Sequence, residues 1–296
     1  MRKISVVYLA VFLVSVIFVS ASHAEDWENT FNLGLNATQA SYSDSWVGGE
    51  AGSFTWAANG DGVFRRQFSP KFNLKNTVKL AFGQTVTQDA ETKNWSKPEK
   101  STDKIDLEAL GLFTLHKWAD PYLAFRFESQ FLDGSVDTNK RYINPITLTG
   151  SAGIAKTLFK KDKDEILSRL GFALKENINR DAVSTDDPGT TETVTSTEGG
   201  FESVTDVKMV LNDKLGYVSK LSLYKAFFYS EKDKFEGTEA EDYWKTIDVN
   251  WENTLTASIS KYIQVTFYTQ VLYDKQISKK GRFKETLALG LTYKLL

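Results

Sequence analysis

From residue 27 to residue 295 apolar and polar side chains alternate in one segment after another, and strict alternation marks β-strands with one apolar and one polar face. The pattern is cleanest at the C-terminal end. There Ile263, Val265, Phe267, Val271 and Tyr273 alternate with Gln264, Thr266, Tyr268, Gln270 and Asp274. After Ser278-Lys279-Lys280-Gly281 the pattern resumes, with Leu287, Leu289, Leu291, Tyr293 and Leu295 against Thr286, Ala288, Gly290, Thr292 and Lys294. Earlier segments of the same kind lie at 27–37, 54–64, 72–86, 105–115, 123–131, 146–155, 166–178, 201–211, 217–229 and 247–257. The C-terminal hairpin brings the total to twelve strands, an even number of the kind found in bacterial single-chain membrane barrels.

The connections alternate in length. Long ones fall at 41–53, 87–103, 132–144, 179–199 and 230–243, and short ones at 67–71, 116–121, 160–165, 212–216 and 258–262. Short turns at one end and long loops at the other are the asymmetry of a transmembrane β-barrel, with both termini on the short-turn, periplasmic side. The longest connection, 182–199, is rich in Thr, Asp and Gly and predicts a surface loop.

A soluble two-sheet sandwich would alternate too, with its apolar faces inward. A closed soluble barrel of about this many strands would enclose more space than apolar side chains fill. The polar face here mixes Gly34, Ala81, Gly83, Gly153, Gly171, Ala288 and Gly290 with charged residues, which suits a lumen. The expected fold is therefore all-β: a single antiparallel transmembrane barrel of about twelve strands, its last strand paired with its first near 31–37, because an open edge in the bilayer is costly. Aromatic residues flank both ends of the strands: Trp27, Phe72, Trp118, Tyr122, Tyr217, Tyr262 and Tyr293 beside short turns, and Tyr42, Phe131, Tyr142, Tyr229, Trp244 and Tyr273 beside long ones. They predict two interfacial girdles. Lys225 falls on the apolar row, either snorkelling to the interface or marking a bulge.

Residues 1–24 carry the marks of a secretory signal peptide: Arg2 and Lys3, an apolar stretch, and Ser22-His23-Ala24 as a cleavage site. The barrel would then occupy 25–296. A formal net charge of -2 points to no polyanionic partner, and nucleic acid is not expected.

On the polar face stand Lys75, Lys79, Arg126, Lys175, Lys208, Lys220 and Lys284, against Asp106, Glu108, Glu128, Glu202, Asp206, Asp248 and Glu252. A pore selective for an anion or a cation would carry one sign. The balance fits two arrangements equally: a filled barrel cross-linked by ion pairs, or a narrow aqueous path with weak charge preference. The function expected is correspondingly a narrow channel for small hydrophilic solutes, or a structural or surface-interaction barrel with an occluded lumen.

Barrel-borne hydrolases and acyltransferases generally use a histidine near the outer rim as general base. This chain has two, His23 in the signal peptide and His116 in a short turn, and it has no cysteine. No catalytic residue, metal cluster or cofactor is expected, and Asp186-Asp187 matches no calcium-loop spacing. Asp106 and Glu108, the nearest carboxylate pair, read as lumen wall.

The stretch Gln39-Ala40-Ser41-Tyr42-Ser43-Asp44-Ser45-Trp46-Val47-Gly48-Gly49-Glu50 resembles the NW-x-GG-E signature of an outer-membrane barrel family carried as a domain of unknown function. Ser45 stands where that family often has asparagine. Leu74-Lys75-Asn76-Thr77, Leu80-Ala81-Phe82-Gly83-Gln84, Trp95-Ser96-Lys97-Pro98 and Lys100-Ser101-Thr102-Asp103-Lys104 continue the likeness, which spans 27–131. The resemblance implies an outer-membrane barrel of a Gram-negative cell and carries over no activity. Within the motif, Gly48 and Gly49 give the backbone freedom for a tight turn. Trp46 and Glu50 would then shape the first loop, in a structural role or in binding a ligand. The C-terminal row ending at Leu295 also resembles the signal read by the barrel-assembly machinery, although Leu296 is aliphatic and out of phase. The partners expected are outer-membrane lipid and that machinery, with the solute left open.

Overall fold

The structure is a computed structural model that describes residues 27–43, 51–115, 117–134, 140–183 and 190–295. Its strands are β1 Glu28–Ala40, β2 Ser53–Ser69, β3 Phe72–Thr87, β4 Glu99–Phe113, β5 Asp120–Ser129, β6 Leu132–Asp133, β7 Arg141–Tyr142, β8 Ile146–Lys161, β9 Asp164–Val183, β10 Thr191–Asn212, β11 Leu215–Tyr229, β12 Ile247–Ser258, β13 Ile263–Tyr273 and β14 Arg282–Lys294. Twelve of them close into one barrel in the order β1-β14-β13-β12-β11-β10-β9-β8-β5-β4-β3-β2, and β6 and β7 form a small hairpin beside it. Every period-2 segment of the sequence is a barrel strand. The turns at one end are tight: β8 passes into β9 through Asp162 and Lys163, with Asp162 at φ 52, a left-handed conformation that aspartate tolerates better than most residues.

The alternation separates two faces. Along β9 the outward Leu170, Phe172 and Leu174 are exposed, Phe172 by 60%, while the inward Arg169 and Ala173 are buried. Along β14 Leu287, Leu289 and Leu291 are exposed too, Leu287 by 72%. Phe172 packs on Phe201 at 4.6 Å between ring centroids and Phe201 on Phe227 at 5.7 Å, an outward ladder across β9, β10 and β11. An apolar belt this continuous does not face water; it is the lipid-contacting surface of a transmembrane barrel.

Most of the expected girdle residues stand exposed at the two rims, among them Trp118, Tyr262 and Tyr293 at the short-turn end and Phe131 and Tyr142 at the other. Two do not. Tyr122, 3% exposed, points into the lumen with the parity of Ala124 and Arg126, and Tyr229, 8% exposed, packs beneath Phe235 and Trp244 of the following loop. Lys225 keeps its outward parity opposite Phe201, and its ammonium donates to the Lys245 carbonyl at 2.5 Å, so it snorkels to the loop. The bulge falls just beyond it, where the register shifts between Gly199 and Gly200.

The expectation of a loop over 182–199 is overturned at 182–183 and 191–199, while 184–189 lie outside the described residues. Residues 191–199 are strand, paired with β9 as Thr195↔Ile178 and Glu198↔Lys175. Thr191, Thr193, Val194, Thr195 and Thr197 are β-branched, and such residues favour extended backbone over loop even without an apolar cluster. β8 pairs with β9 only as far as Ile178, and β11 with β10 only as far as Glu198. Beyond those residues the two strands pair only with each other and stand above the rim as a ribbon.

Closure brings β14 to β1, as expected, through Asn32↔Lys294 to Asn36↔Gly290. Past that point β1 residues 37–40 pair only with β2, and β14 residues 282–289 pair only with β13.

The belt generates a test. Phe172→Arg puts a charge on the lipid face halfway along β9 and should destabilise the barrel by about 2–4 kcal/mol. Urea unfolding in lipid vesicles followed by tryptophan fluorescence measures it; no change would remove Phe172 from the hydrocarbon zone.

Candidate functional site: the barrel lumen

Inward positions on opposite walls meet directly. Glu252 of β12, nearly buried, accepts from Lys79 of β3 at 2.7 Å and from Lys104 of β4, with Tyr268 at 3.3 Å and Gln270 at 3.4 Å on its flank. In the ring of twelve, β4 and β12 are six places apart, so the Lys104–Glu252 bridge spans the lumen. Glu108 of β4 forms a second centre, held by Lys220 of β11 and by Arg169 of β9 at 2.5 Å. Arg169 also lies 3.5 Å from Asp206 and over the Tyr122 ring at 5.6 Å. Between the two centres Arg126 grips Asp106 through two bonds of 2.9 and 2.8 Å and reaches Glu128 at 3.0 Å. Nearer the short turns Arg65 bridges to Glu165 at 2.8 Å, again across the lumen.

Toward the long loops Lys175 lies 3.4 Å from Asp248, with its ammonium 3.5 Å above the Tyr224 ring. Lys284 reaches Thr102 at 3.4 Å. Lys75, Glu202 and Lys208 face inward and form no ion pair among the described residues. Trp46, Gly48, Gly49 and Glu50, like His116 and Asp186-Asp187, lie outside the described residues.

Lys104, Arg169, Arg65, Glu165 and Asp61 belong to this wall as well. Their signal was parity, because Lys104 shares that of Asp106 and Arg169 that of Lys175. Which cation meets which carboxylate had no such signal.

The lumen is filled unevenly. Inward Leu110, Tyr122, Ala124, Ala155 and Leu167 form an apolar cluster on the β4–β5–β8–β9 side near the short turns. Gly171 makes room for it: a Cβ there would lie 2.7 Å from the Tyr122 hydroxyl. On the opposite side, the inward Asn32, Asp61, Lys284 and Thr286 of β1, β2 and β14 are exposed. One half of the cross-section is packed solid and the other is open to water.

Chemically the wall binds and cross-links. Its central carboxylates are each held by cations, and among the described residues no group of three or more His, Asp or Glu is arranged to hold a metal ion. At the rim, Lys279 hydrogen-bonds Glu239 at 2.6 Å and holds that carboxyl below its ordinary range, linking the loop before β12 to the loop before β14.

Fold and wall together define a transmembrane β-barrel with an ion-paired lumen. Residues 37–134, about a third of the chain, match the model of a family described as Protein of unknown function (DUF3078). No curated protein matches the sequence. Among solved structures, the chain is similar to the translocator domain of autotransporter NalP from Neisseria meningitidis, with 7% identity over 97% of this chain and 95% of that one and a TM-score of 0.39. It is also similar to the COG4313 outer membrane channel from Pseudomonas putida F1, with 12% identity, 93% and 98% coverage and a TM-score of 0.41. The beta domain of the Bordetella autotransporter BrkA gives 9% identity, 90% and 97% coverage and a TM-score of 0.33.

Removing one member of a buried ion pair leaves the other charge uncompensated. Glu252→Gln should cost about 2–3 kcal/mol, less than the roughly 3–5 kcal/mol of a fully buried pair, because Lys79 and Lys104 keep some contact with water. Lys208→Gln, at an unpaired exposed position, should leave the unfolding midpoint where it is. Equal midpoints for Glu252→Gln and the parent protein would mean that the bridge does not tie the walls together.

Proposed function

We propose that this chain is a narrow passive channel for small hydrophilic solutes in the outer membrane. The observation that carries this reading is the uneven lumen, in which Asn32, Asp61 and Thr286 line a hydrated crescent beside a wall closed by ion pairs. A path with both charges and neutral polar groups along it admits small solutes with weak charge preference, because no single sign focuses the field. The central bridges limit its width.

Residues 1–24 direct export, and the mature chain 25–296 inserts with both termini on the periplasmic side, assisted by the barrel-assembly machinery. No catalytic group is assigned. The family matched over 37–134 brings no activity with it.

A second reading is a structural or surface-interaction barrel with an occluded lumen. The bridge between opposite walls from Lys104 to Glu252 favours it.

Planar-bilayer recording separates the two. The channel reading expects small, stepwise conductances after confirmed insertion, larger in Glu252→Gln, where the central bridge is cut. In liposome swelling, a neutral pentose and its carboxylate derivative should enter at rates within about fivefold of each other, the span of a surface charge effect of roughly 1 kcal/mol. Inserted protein that gives no steps in either form would leave the occluded barrel as the function.

A further inference from the structure

The wall of the barrel is open along half of one seam. β1 and β2 share thirteen register pairs, whereas β1 and β14 share five and separate after Asn36↔Gly290. Continued pairing would have matched Thr38 with Ala288, yet among the described residues no strand pairs with 282–289 on that side. The outward Leu287 and Leu289 on the unpaired stretch are exposed leucines, which puts the gap at the level of the hydrocarbon. The inward Thr38, Lys284 and Thr286 beside it are exposed too, so lumen and bilayer meet there.

The last closed pair is a tight one. A Cβ on Gly290 would lie 1.8 Å from the Asn36 side-chain oxygen and 2.8 Å from the Leu35 carbonyl oxygen, so the two strands approach closely at the end of the paired stretch.

The bilayer's hydrocarbon lies against Leu287 and Leu289 at the edge of the open stretch, so an acyl chain is the apolar occupant its surroundings supply. On the lumen side of the open stretch stand Arg282 and Lys284, and neither forms an ion pair among the described residues. A buried Arg282 Nε there makes no hydrogen bond. These cations select an anionic headgroup.

We propose that the open half of the β1–β14 seam is a lateral opening between lumen and bilayer that admits an anionic amphiphile, its acyl chain on the bilayer side of the gap and its headgroup meeting Arg282 and Lys284. This goes beyond the passage of hydrophilic solutes along the barrel axis, and its test does not depend on conductance.

The chain has no cysteine, so introduced pairs report cleanly. In lipid vesicles under mild oxidation, Leu35→Cys with Leu291→Cys, across the closed half, should form a disulfide. Thr38→Cys with Ala288→Cys, across the open half, should not, because a disulfide needs Cα atoms about 4.4–6.8 Å apart. Equal cross-linking of both pairs would overturn the opening.

The ligand arm uses protein in neutral detergent titrated with palmitate, with phosphatidylglycerol, with hexadecanol and with inorganic phosphate, read by native mass spectrometry. Palmitate or phosphatidylglycerol should bind saturably at one site, and whichever binds more tightly identifies a carboxylate or a phosphate headgroup. Hexadecanol and inorganic phosphate should bind at least tenfold more weakly. The pair Arg282→Ala with Lys284→Ala should weaken binding at least tenfold, with heat-resistant gel mobility confirming that the variant is folded. Unchanged affinity in this variant, or equal binding of hexadecanol, would overturn the site.

Discussion

In hydrocarbon a backbone N–H or C=O has no water to turn to, and the closed form of this barrel, the open half of the β1–β14 seam excepted, follows from that. Twelve strands can hydrogen-bond completely only by closing on themselves. Closure commits half of each strand's side chains to lipid and half to an interior too wide for those side chains to fill from one wall. Apolar residues answer the first requirement through the ladder of Phe172, Phe201 and Phe227. Long charged residues answer the second by reaching across. Lys79, Lys104, Lys220 and Arg169 have the length to meet a carboxylate on a distant wall, and Glu252 and Glu108 each receive two of these reaching cations.

Such bridges are expensive to desolvate and are worth most where each lone pair finds a donor. Glu252 meets that condition with two ammonium groups, a phenol and an amide. Asp106 meets it through the two-bond grip of Arg126. Where the wall carries Asn32, Gly34 and Thr292 instead, no ion pair crosses from it among the described residues, and Asn32 stands exposed. The same rule thus yields a packed half and a wet half from a single alternating pattern.

The strands were legible because a closed membrane wall enforces period 2 at every position, and little in the chain competes with it. Tyr122 was misread for a related reason: nearness to a turn says which end of the barrel a ring occupies, whereas parity says which face. The run over 191–199 was misread because its polarity outweighed its β-branching. The partners inside the lumen were not legible at all. Which cation meets Glu108 depends on barrel cross-section and strand stagger, and no local feature of β4, β9 or β11 encodes either. The seam was legible in kind and not in extent. A hairpin's register is set by its turn, but β1 and β14 are joined by no turn, so nothing near either strand fixes how far they pair.

The ribbon formed by the ends of β9 and β10 has a mechanical meaning. Both strands run unbroken from the short-turn end, past the apolar cluster at Leu167 and the bridge from Arg169 to Glu108, and out beyond the rim. A twisted pair of strands is stiff along its length. Whatever tugs or tilts the ribbon where it leaves the rim pulls on the same strand that carries Arg169, so the part above the rim is continuous with the interior bridges.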